Sequence, residues 1–157
     1  MFIDSNLEFA DDVDITNAVA TGVKKGTARD VRPNVTDNAT VDFQSGEQLY
    51  LVVEITEAVT SAGSASVQFL LTTADNEALS TNPENIWYSG AIGKDDLVVG
   101  KRFIASLPTA DYKRWLGIRV TTGTATTTAG KINAFITKDV TNWTSTATRV
   151  PATDPAS

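Results

Sequence analysis

The chain has 157 residues, a formal net charge of −6, and neither cysteine nor histidine. Without cysteine there are no disulfides, thiolate metal sites or thiol nucleophiles, and without histidine the imidazole-dependent serine and zinc hydrolase routes are closed. The acidic balance argues against nucleic acid, because backbone binding needs clustered cations and Lys24-Lys25 and Lys113-Arg114 are only pairs.

Residues 1–46 are polar and turn-rich, with apolar islands at 7–10 and 18–23 that predict one or two short strands joined by long connections. Gly22-Val23-Lys24-Lys25-Gly26 lacks the glycine that precedes a Gly-Lys-Ser/Thr triplet in a phosphate loop, so it reads as an exposed turn. Residues 48–56 form the clearest strand. Leu49, Leu51, Val53 and Ile55 point one way against Tyr50, Val52 and Glu54, and two largely apolar faces predict a central position in a sandwich. A small-residue loop over 58–64 leads to a second inward row, Val67, Phe69 and Leu71, and the two strands fit a meander or Greek-key arm.

The longest irregular region starts at Asp75-Asn76-Glu77 and ends at Ile86-Trp87-Tyr88. Oxygen-rich stretches at Asp11-Asp12-Val13-Asp14, Asp75 to Glu77 and Asp95-Asp96 have ligand types suited to calcium. None has the twelve-residue loop spacing, and Asp and Asn are ordinary turn residues, so the reading is solvated turns with no metal and no cofactor.

From Leu97 to Thr137 the period of two returns. Phe103, Ala105 and Leu107 alternate with Arg102, Ile104 and Ser106, and Pro108 stops the strand by removing an amide donor and fixing φ. Over 115–121, Leu116, Ile118 and Val120 share one face, and Gly117 on the other implies a close neighbour, here the Trp115 ring. Residues 131–137 place Ile132, Ala134 and Ile136 inward. These segments predict an antiparallel sheet with one buried face, within a single β-sandwich domain over 1–140. The polar, proline-punctuated 141–157 is an extended C-terminal tail carrying Trp143. No apolar run reaches the roughly 18 residues that span a bilayer, and the start lacks a signal-peptide pattern, so no membrane partner is expected and synthesis is placed in a cytoplasm.

The order Lys101-Arg102-Phe103, Leu107-Pro108, Tyr112-Lys113-Arg114-Trp115-Leu116-Gly117, a Thr/Gly link, then Gly130-Lys131-Ile132-Asn133-Ala134-Phe135-Ile136 resembles the cement (decoration) proteins of tailed-phage capsids. The opening Phe2-Ile3-Asp4-Ser5-Asn6-Leu7-Glu8-Phe9-Ala10-Asp11 is similar to that family too. The resemblance implies jelly-roll topology in the two-sheet antiparallel sandwich. It also implies a non-enzymatic protein made in the host bacterial cytoplasm. On the capsid exterior it would bind the major capsid protein and a second or third copy of itself. Phe2, Ile3 and Trp143, apolar residues near the termini, are the candidate contact residues.

Two other functions use the same residues differently. A carbohydrate-binding module would stack sugars on Trp87, Tyr88, Tyr112 and Trp115, rings that otherwise belong to core packing. A glycosidase would need two facing acids from Glu84, Asp95, Asp96 and Asp111, whose spacing specifies no such pair.

Overall fold

Side chains that alternate along a strand produce one apolar row per strand, and each row must meet another across a shared core. The computed structural model of the chain describes residues 8–16, 22–31, 48–108 and 110–138. Within them lie nine strands: β1 (Glu8–Asp14), β2 (Val23–Asp30), β3 (Tyr50–Thr60), β4 (Ser66–Ala74), β5 (Glu84–Tyr88), β6 (Ile92–Gly93), β7 (Arg102–Ser106), β8 (Trp115–Gly123) and β9 (Ala129–Thr137). A 3₁₀ turn at Lys94–Asp96 follows β6.

The strands form two antiparallel sheets, ordered β1-β9-β3-β7 and β2-β8-β4-β5, with β6 also paired to β4. The rows expected from the sequence all lie in the core between them. Leu51, Val53, Ile55, Ile132, Ala134 and Ile136 of the first sheet pack with Val67, Phe69, Leu71, Leu116, Ile118 and Val120 of the second. All twelve are buried. The sandwich is therefore as expected, and β3 is central, between β9 and β7.

The sheet assignment differs from the expectation. Residues 102–137 do not build one sheet: β7 and β9 belong to the first and β8 to the second. Of the two arrangements expected for β3 and β4, a meander is excluded because they too lie in different sheets, and the Greek-key arm is left. Alternation reports which face is apolar and carries no information about which strand lies alongside. The pairs β1·β9, β2·β8, β3·β7 and β4·β5 nest like the rungs of one long hairpin, and wrapping that hairpin brings β9 against β3 and β8 against β4.

Polar contacts at the flanks set how the sheets close. β1 and β2, edge strands of opposite sheets, lie side by side: Arg29 Nε donates to the Glu8 carbonyl at 2.6 Å and Lys25 Nζ to the Thr16 carbonyl at 2.6 Å. Gly22 to Gly26 is thus not an exposed turn, because Val23 to Gly26 lie in β2. Gly26 has φ +72°, and a Cβ there would overlap the Phe9 carbonyl oxygen, so the approach of β1 to β2 requires glycine. Gly117 also sits under a neighbour, but that neighbour is not the Trp115 ring. Its absent side chain makes room for Leu79 and Ala28, at 2.9 and 3.1 Å from where a Cβ would stand.

Leu79 belongs to the irregular region, which folds back over the outer face of the second sheet. Leu79 is buried there with Ala28, Ala74 and Trp115. Asn76 Oδ1 accepts the Ser80 and Thr81 amides at 2.9 Å, and Lys113 Nζ donates to the Asn82 carbonyl. The region is a cap on the sheet.

Leu116→Ala should lower stability by about 2–5 kcal/mol, the usual cost of truncating a buried leucine, read by chemical denaturation. Gly26→Ala and Gly90→Ala both place a side chain at positive φ, which costs about 1–2 kcal/mol. Only Gly26 also meets a backbone atom, Gly90 having nothing within 4 Å. The Gly26 variant should therefore lose far more in thermal midpoint; equal losses would contradict the tight β1–β2 flank.

Candidate interaction surface

Phe2, Ile3 and Trp143 lie outside the described residues, as does the 141–157 tail. The other sequence candidates can be placed. Among the described residues no group of three or more Asp or Glu side chains is disposed to hold a metal ion. Four of the carboxylates, those of Asp12, Asp14, Asp75 and Asp95, are instead engaged by donors of their own chain. Asp14 accepts the Thr16 amide at 2.6 Å, Asp75 accepts from the Asn82 side chain at 2.8 Å and Asp95 from Lys94 at 2.6 Å.

Asp12 holds the largest of these networks. It accepts from Lys131 Nζ at 2.9 Å and from the Thr56 hydroxyl at 2.9 Å, while its own amide donates to Asn133 Oδ1 at 2.7 Å. With φ +49° it sits at an irregularity of β1, and its side chain ties β1 to β9 and β3. The Lys131 ammonium, then the Thr56 hydroxyl, hold the Asp12 carboxyl below its ordinary 3.8. The Thr16 amide does the same for Asp14, and Asp12 in turn raises Lys131 above 10.5.

The aromatic candidates do not converge. Tyr112 is fully buried and donates to the Pro108 carbonyl at 2.7 Å, closing the turn after β7. Trp87 packs against the main core, and Trp115 lies against the Leu79 cap with the Arg114 guanidinium 5.8 Å above its ring. Tyr88 alone of the four is widely exposed, at 61%. Glu84, Asp95, Asp96 and Asp111 are all exposed. Among the surface depressions are one of about 210 Å³ beside Gln68 and Thr121 and one of about 190 Å³ between β1 and β2. Neither reaches the roughly 300 Å³ at which small-molecule sites begin, and none of those four acids lines either one.

What the surface offers is an asymmetry between flanks. On one flank β1 and β2 cover each other. On the opposite flank, β7 of the first sheet and β5 with β6 of the second are the outermost of the described strands. The large hydrophobic residues that are exposed among the described ones, Tyr88, Val98 at 52% and Val99 at 65%, all lie on this open side, in β5 and in the turn that enters β7. Sequence reading missed the two valines because a pair beside Gly100 has no periodic pattern. Among the described residues no helix is long and apolar enough to cross a membrane.

A family model, Bbp16, matches residues 13–136, a span that runs from the end of β1 into β9 and so takes in nearly the whole sandwich. No curated protein matches the chain.

Asp12 and Asp14, with depressed folded-state pKa values, contribute stability that is present above the ordinary carboxylate range and lost as pH falls through the folded values. Lys131, raised, contributes stability lost only as pH rises through its folded value above 10.5. Thermal midpoints should therefore fall below about pH 4, and Asp12→Asn should flatten that acid limb. An unchanged acid limb in the variant would remove Asp12 from the account.

Proposed function

The chain belongs to the Bbp16 family, a phage-associated family, and on that premise we propose that it is a structural virion protein that binds the outside of an icosahedral capsid and bridges coat subunits. The observation that carries this reading is the family match across nearly the whole sandwich. The nested pairing of strands supports taking the sandwich as a jelly roll, an architecture that recurs in viral capsid and lectin domains. A two-sheet body whose large exposed hydrophobic residues, among the described ones, gather on one flank is suited to binding by shape. Its partners on this reading are the major capsid protein and its own copies, with no enzymatic role, no nucleic acid and no membrane.

The competing glycan reading is weaker on the same coordinates. Stacking modules present several coplanar rings, and of Trp87, Tyr88, Tyr112 and Trp115 only Tyr88 presents a widely exposed one.

Purified protein mixed with unadorned phage shells should sediment with them to a saturating ratio and raise the temperature at which they open. At a hundredfold excess over the dissociation constant, binding stabilises the bound state by about 2.7 kcal/mol. Protein that stays in the supernatant at such concentrations, or that is retained on immobilised glycans instead, would overturn the proposal.

A further inference from the structure

Left-handed backbone suits glycine and asparagine, and a bulky side chain at positive φ persists only where its surroundings hold it there. The cap over the second sheet contains both cases. Asn82 has φ +47°, which its residue type tolerates, whereas Leu79 has φ +55° and is nevertheless 1% exposed. Glycine or asparagine would suit that backbone better, so the leucine is present for its side chain.

What receives it is a slot made by small residues on three strands. Ala28 of β2, Ala74 of β4 and Gly117 of β8 form it, with the half-buried Trp115 packed alongside. A Cβ at Gly117 would stand 2.9 Å from Leu79 Cδ1, so the slot exists because that residue has none.

The rest of the loop holds itself together. Asn76 Oδ1 accepts the Ser80 and Thr81 amides at 2.9 Å, and Asn76 Nδ2 donates to Ser80 Oγ at 2.9 Å. The Asp75 amide donates to the Thr81 carbonyl at 3.0 Å, and Asn82 Nδ2 to the Asp75 carboxylate at 2.8 Å. These bonds all lie within residues 75–82, so none breaks if the loop lifts as one body. Its polar ties to the sandwich come from two lysines: Lys24 Nζ donates to the Glu77 carbonyl at 3.3 Å and Lys113 Nζ to the Asn82 carbonyl at 2.5 Å. Both ties are exposed, where water readily replaces them. Leu79 is then the main fastening, and the gain from burying it is offset by backbone strain of the same order.

We propose that residues 75–83 form a lid that opens as a unit, hinged where it leaves β4 at Ala74 and enters β5 at Glu84, by withdrawing Leu79 from the slot while the sandwich stays folded. Opening relieves the strain at Leu79, keeps the bonds inside the loop and uncovers an apolar slot on the outer face of the second sheet. Local openings that break few contacts lie at low free energy compared with global unfolding. The lid does not rest on capsid binding, and a failure of the shell experiment leaves it untouched.

The cysteine-free chain lets a single thiol report the opening. Ala28→Cys places one in the slot and Ala134→Cys one between the sheets, both at buried positions. With a water-soluble aromatic disulfide as reagent, the Ala28→Cys protein should react roughly a hundredfold faster than the Ala134→Cys protein. Its rate should stay nearly level at low urea while the other climbs, because the urea slope scales with the surface an opening exposes. Lys113→Met, which removes one tie and keeps the apolar stem, should speed the reaction of Ala28→Cys by about threefold and leave Ala134→Cys unchanged. Leu79→Gly should speed it further with unchanged circular dichroism. Ala74→Cys, in the same slot, serves as the reporter if the Ala28 variant does not fold. Equal protection of slot and core thiols with equal urea slopes would overturn the proposal. So would a slot thiol whose rate responds to neither Leu79→Gly nor Lys113→Met.

Discussion

The backbone contact between β1 and β2 sets the shape on which everything else depends. Where Gly26 passes the Phe9 carbonyl, strands from opposite sheets come closer than any side chain would permit. Arg29 and Lys25 then use their side chains to satisfy carbonyls of the β1 segment, in place of a ladder between them. This closes the sandwich on one flank. Among the described strands, β7 and β5 end the two sheets on the other flank, and the large hydrophobic residues exposed among the described ones are found there.

The nested strand order explains why that closure holds. β1 pairs with β9 and β2 with β8, so the first described strands are locked in place by the last ones. Asp12 reinforces the arrangement from the outer face through Lys131 and Thr56, and Leu79 does so on the opposite sheet by filling the space that Gly117 leaves. Long-range pairing of this kind folds slowly, since large loops must close before their contacts form.

The inward rows of β3, β4, β8 and β9 are legible in the sequence because each buries one face and alternates with a period of two. β2 is not legible. Lys24, Lys25, Arg29 and Asp30 make it look like a solvated turn, and only its pairing with β8 and its place against β1 make it a strand. The same limit explains the errors over 102–137 and over the neighbour of Gly117, and why the β3–β4 pair stayed open between two arrangements: partners distant in sequence decide them. For function, the expected contact residues Phe2, Ile3 and Trp143 fall outside the described residues. The surface that emerges, Tyr88 with Val98 and Val99, is recognisable only once the strand order is known.

On the proposed function, the molecule acts through the flank that carries Tyr88, Val98 and Val99. Amide hydrogen exchange, compared between dilute free protein and the same protein on phage shells, tests this most directly. The account predicts that residues 97–107 gain protection on assembly while β1 and β2 stay as they were. Protection gained at β1 and β2, with 97–107 exchanging as freely as before, would contradict it.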